Sequence, residues 1–154
     1  MNTQIIQILL SNQKKFDKSK LKASSCKFFM DKELQLEVSI LKRFMRYVCY
    51  LLDIDEVKVY LHNNRKNSGI QTTALCDYQN KIIKIYCKNR SKADIFRSIA
   101  HECTHIKQYE LNEIPEDYGN HWSEPVEFEA NATAGSILSF FSHKIGFEKV
   151  YEND

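Results

Sequence analysis

The stretch "SKADIFRSIAHECTHIKQYEL", residues 91–111, decides how the chain folds. Ile95, Phe96, Ile99, Ala100, Cys103 and Ile106 recur at helical spacing and draw one apolar stripe along its length. Ser91, with Asp94 three residues on, resembles a capping box that would satisfy the first free N–H groups. Asn112 and Pro115 supply the stop. The pattern predicts a helix over about 92–111.

Working outward, "VKVYL" (57–61) and "KIIKIYC" (81–87) alternate, and "SGIQTTALCDY" (68–78) is rich in Thr, branched and aromatic residues. Three strands are expected, and the short "YQN" between the last two favours an antiparallel hairpin. Further upstream Leu34, Val38, Leu41, Met45, Val48 and Leu52 mark an amphipathic helix, with Asp31 as its N-cap and its end near Asp53. Residues 3–12 read as a short helix and 13–25 as a charged connection. Downstream, Ser123 and Pro125 open a last helix in which Val126, Ala130, Ala134, Ile137 and Phe141 face inward. Gly146 ends it, and a charged tail is expected to fray.

The 154 residues are 43% hydrophobic and 27% charged, which suits one globular domain. With only 4 Gly and 2 Pro and no repeat, no linker declares itself. The chain divides at most into an N-terminal helical region, 1–54, packed on a core of 55–154. The net charge of +2 and a single lysine-rich patch, "KKFDKSKLK" (14–22), give little support for nucleic-acid binding. "MNTQIIQILL" has neither a basic leader nor a cleavage site, and no stretch approaches the roughly 18 apolar residues of a membrane span. A cytoplasmic protein without a membrane partner is expected. Five cysteines, an odd number without C-x-x-C spacing, suit reduced, small buried side chains rather than metal ligands.

Within the opening helix His101 and His105 stand one turn apart on one face, with Cβ atoms about 5–6 Å apart, so both imidazoles can reach one ion. Glu102 lies beside that ion, where it can hold and deprotonate a bound water. A solvated helix with two ordinary histidines is the plain alternative, but the neighbours Ile99, Ala100 and Cys103 are apolar and a buried imidazole needs a partner. A catalytic zinc takes a third protein ligand and leaves one position for water. His121, Glu124, Glu127 and Glu129 are available. In "EPVEFEANATAG" (124–135), Glu127, Ala130, Asn131 and Ala134 share one side, and the small residues allow close approach of the two helices. Asn131 could hydrogen-bond a ligand histidine from behind the metal. Glu129 points elsewhere on the wheel and is the runner-up, otherwise a solvated charge.

"HECTH", followed 22 positions after its last histidine by the first glutamate of "EFEAN", resembles the gluzincins, thermolysin-like zinc metallopeptidases. More narrowly the chain is similar to minimal gluzincins and to bacterial and phage proteins of the ImmA/IrrE type, over about residues 55–142. The resemblance implies a zinc ion held by His101, His105 and Glu127, with Glu102 as general base and Asn131 in support. It also implies a peptide or protein substrate laid along the hairpin "TTALCDYQNKIIKIYCKN" (72–89). The large C-terminal domain of full gluzincins, with its oxyanion-stabilising side chain, has no counterpart. Tyr118 and His121, between the ligand helices, are the candidate oxyanion donors, while His62 and His143 read as solvated or structural. The fold expected is α+β: a small antiparallel sheet of about three strands packed against a zinc-binding helix and a second ligand helix, with an N-terminal helical region. A non-catalytic zinc-stabilised protein-binding module is the competing reading, and a nucleic-acid-binding regulator a distant third.

Overall fold

The computed structural model describes residues 4–17, 25–64, 73–114 and 124–151. In chain order these form α1 (Gln4–Lys14), β1 (Ser25–Met30), α2 (Val38–Leu52), β2 (Glu56–His62), β3 (Ala74–Asp77) and β4 (Ile82–Tyr86). Then follow α3 (Lys92–Glu110), α4 (Glu124–Ile145) and the short α5 (Phe147–Tyr151). The α+β class is as expected. The strands form one mixed sheet in the order β1-β2-β4-β3, in which β1–β2 and β2–β4 are parallel and only the β3–β4 hairpin is antiparallel.

The fourth strand, β1, is an addition to the expected architecture. It occupies residues read as the end of a connection and the approach to a helix. In "SCKFFM", Lys27 and Phe29 are exposed while Cys26, Phe28 and Met30 pack against the core, which is strand alternation in a very short run. Asp31 does not cap α2. Its carboxylate accepts the Asn63 N–H at 2.7 Å, tying the end of β1 to the end of β2, and α2 begins seven residues later after Glu37. A side chain already committed across the sheet cannot cap the helix. At the other end Asp53 adopts φ 53°, and the Ile54 N–H bonds to the Cys49 carbonyl at 2.9 Å, closing the last turn.

Alternation in β2 and β4 buries Val57, Val59, Leu61, Ile83 and Ile85. The hairpin closes through Asp77, whose carboxylate accepts from the Asn80 backbone at 3.1 Å and its side-chain amide at 2.8 Å, with Lys81 at φ 55°. Above the sheet, Phe44 of α2 stacks on Phe96 of α3 with ring centroids 4.6 Å apart and meets Phe141 of α4 edge-on at 5.1 Å. Phe44 is fully buried, so replacing it with Ala should cost about 3–5 kcal/mol and loosen the seating of α3 against α4.

Ser91 caps α3 as predicted by accepting the Asp94 N–H at 3.2 Å. The return half of the box is absent, because the Asp94 carboxylate is held by Arg90 instead. Asn112 at φ 59° and Gly146 at φ 96° turn the chain out of α3 and α4. Beyond Gly146 the tail does not simply fray: residues 147–151 form α5, and Val150 is fully buried. No helix among the described residues is long and apolar enough to cross a membrane.

Candidate metal centre

Helix α3 carries His101 and His105 one turn apart, and α4 lies against it with Ala130 and Ala134 fully buried, as Ala100 is on α3. Small side chains let the two helices approach, and the approach brings in Glu127. His101 Nε2 lies 3.2 Å from Glu127 Oε2, His105 Nε2 lies 3.1 Å from Glu127 Oε1, and the two Nε2 atoms are 3.1 Å apart. These three side chains form a group able to hold a metal ion. Glu127, not the alternative Glu129, completes it.

A residue the sequence reading passed over fixes the chemistry of this group. Gln108, fully buried on α3, donates through Nε2 to the Val126 carbonyl at 3.0 Å and to Glu129 Oε1 at 2.8 Å. Two acceptors on that end identify it as the amide nitrogen, so Oε1 is the atom 2.7 Å from His105 Nδ1. His105 therefore carries its proton on Nδ1 and turns the Nε2 lone pair toward Glu127. Burial pushes its pKa down, favouring the neutral ring. A lone pair and a carboxylate oxygen 3.1 Å apart repel unless a cation sits with them. The i,i+3 spacing of His105 and Gln108 was available in the sequence. What it lacked was the position of α4 behind them.

Glu129 is not the solvated charge expected of it. It is 3% exposed, anchored by Gln108, and faces Glu113. Burial first, and then Glu129, push the Glu113 carboxyl up to about 7. Glu113 Oε1 and Glu129 Oε2 have no donor among the described residues, which suits two carboxyls sharing a proton.

Glu102 points into a cleft of about 230 Å³ whose other walls are Thr73 and Ala74 at the start of β3, Arg97, Ser98 and His101 from α3, and Asn131 from α4. Burial and, second, the charge of Glu127 push its carboxyl up to about 8. Asn131, expected behind a ligand histidine, is exposed on the cleft wall and makes no hydrogen bond to either histidine; Gln108 takes that role. Tyr118 and His121, the expected oxyanion donors, lie outside the described residues. His62 is half-buried 3.6 Å from Asp31 and stacked on Tyr60, and His143 is exposed late in α4; neither reaches the centre. No family model, curated protein or solved structure matches the chain.

Proposed function

We propose that the chain is a zinc-dependent metallopeptidase of the gluzincin type, hydrolysing peptide bonds with Glu102 as general base. One observation carries the reading: His101, His105 and Glu127 converge to within 3.2 Å of one another while Glu102, beside them, faces an open cleft. Two imidazoles and a carboxylate are a catalytic zinc donor set. Bonds of about 2.0–2.1 Å at tetrahedral angles set ligand atoms roughly 3.3–3.4 Å apart, close to the separations found here.

A zinc ion in this centre would supply Lewis acidity toward the scissile carbonyl and a more acidic water. His101, His105 and Glu127 would hold it, and Gln108 keeps His105 in the tautomer that ligation needs. Glu102 takes the proton of the attacking water and passes it to the leaving amine nitrogen. Burial holds this carboxyl up to about 8 in the metal-free protein, and the positive charge of a bound cation would favour the ionised, proton-accepting form that the first half of the task requires. β3 is an edge strand, so an extended peptide can lie beside it by strand addition and cross the cleft.

Glu102→Gln tests the proposal. The variant should keep its zinc and its fold and lose cleavage in a mixture of host-cell proteins and peptides. Equal cleavage patterns for wild type and variant would remove the catalytic reading and leave a zinc-stabilised binding module.

A further inference from the structure

Two arginines flank the cleft and are used in opposite ways. Arg90, ahead of α3, gives its guanidinium to the Tyr86 and Thr73 carbonyls, to the Asp94 side chain and carbonyl, and to the Ser98 hydroxyl. All five of its N–H groups are engaged, and it clamps the start of the hairpin to α3. Arg97, in the wall of the cleft, is exposed and bonds to none of the described residues. None of its five donors is taken up by the described residues.

The position of Arg97 defines what such a ligand presents. It lies four residues before His101, about 6 Å along the helix axis. β3 runs in the same direction as α3: Thr73 and Ala74 share the cleft with Arg97 and His101, Cys76 Sγ contacts the Glu102 carbonyl at 3.5 Å, and Tyr78 packs on Tyr109 with centroids 5.1 Å apart. A peptide added antiparallel to β3 therefore brings its carboxyl-terminal half to the Arg97 end. Glu102, the one carboxyl among the described residues that line the cleft, is assigned by the peptidase reading to the reacting water.

Resting on the peptidase reading above, we infer that Arg97 is a specificity residue that recognises a carboxylate on the C-terminal side of the scissile bond. The guanidinium fork fits a carboxylate through two parallel N–H···O bonds. Both an acidic side chain and a free chain terminus offer this group, and the test separates them.

The probe is a set of fluorescent hexapeptides carrying one Glu, Gln or Lys at each position in turn, each made with a free and an amidated C-terminus. Anisotropy is read on zinc-loaded protein carrying Glu102→Gln, which binds without turnover. At one position Glu should bind about three- to tenfold better than Gln, as for a partly exposed charge-assisted pair, with the advantage shrinking as salt rises. Adding Arg97→Gln should abolish the preference and Arg97→Glu should transfer it to Lys, with zinc content unchanged in both. Dependence on the free terminus rather than on a side chain would identify the carboxylate as terminal. A Glu preference that survives Arg97→Gln, or the absence of peptide binding in every arm, overturns the inference. Cleavage is scored separately on protein with Glu102 intact. Arg97-dependent binding without cleavage would retain carboxylate recognition by Arg97 and remove the peptidase reading; cleavage without charge selectivity would do the reverse.

Discussion

Two clusters of buried and half-buried titratable side chains sit around the same helix, and burial acts on them in opposite directions. On one side of α3, His101, His105 and Glu127 meet beside Gln108 and Glu129. On the other, Cys103 is fully buried near Cys26 and Cys49, whose sulfurs are 3.1 Å apart, and Cys76 lies close by. None of the five cysteines is in a disulfide. Loss of water raises the Cys103 and Cys76 thiols far above their ordinary range, and Cys49 is raised first by its hydrogen bond with Cys26 and then by burial. A protonated thiol is a small hydrophobe. The same desolvation pushes His105 down, and a neutral imidazole is a ligand. Burial thus disarms one cluster and prepares the other.

The comparison can be broken most decisively at the histidines. His105→Ala should reduce metal from about one ion per chain to almost none by elemental analysis, a loss greater than the ~10–100-fold expected for an outer partner. Full retention of metal would remove the centre. Gln108→Leu comes next: with His105 no longer held in one tautomer, metal affinity measured by chelator competition should fall about 10–100-fold. An unchanged affinity would make Gln108 a structural contact between α3 and α4.

On the thiol side Cys103→Ser should leave metal content alone and destabilise the fold by about 1–3 kcal/mol in denaturant unfolding, because the hydroxyl is buried where a thiol fitted. Loss of metal in that variant would show the two clusters are coupled. The smallest effect concerns pH. In metal-free protein Glu102 is raised to about 8 and Glu113 to about 7, from an ordinary 4.5, so the folded state binds more protons than the unfolded chain between these values. That stabilisation is present below 4.5 and is lost as pH rises through 7 to 8. His105, lowered from 6.5, opposes it below 6.5. The Tm should therefore fall between pH 6.5 and 8, by roughly 2–4 °C for each kcal/mol lost, and Glu102→Gln should flatten most of the slope.

How far the sequence reached depended on how local each signal was. Ser91, the apolar stripe of α3 and the turn at Asn112 act within a few residues of the chain, and all are found where periodicity places them. His101 and His105 are related by one helical turn, and the wheel places Glu127 on the side of α4 that meets them. Gln108 was passed over, and Glu129 taken for a runner-up ligand or a solvated charge, because a glutamine or glutamate is solvated by default and only the packing of α4 on α3 buries them. β1 was lost for a similar reason. Six residues beside a lysine-rich stretch give a weak alternation, and their pairing with β2 is made across 31 positions of chain.

That pairing also limits how the protein can be cut down. β1 covers β2 in register from Ser25 opposite Glu56 to Met30 opposite Leu61. A fragment beginning at residue 55 would keep every proposed metal ligand and Glu102. It would also bare the edge of a seven-residue strand that alternates Val57, Val59 and Leu61, and remove α2 from over the sheet. Exposed edges of that kind template intermolecular pairing. The N-terminal third, which bears none of the proposed site residues, is expected to protect the rest from intermolecular pairing by covering that edge.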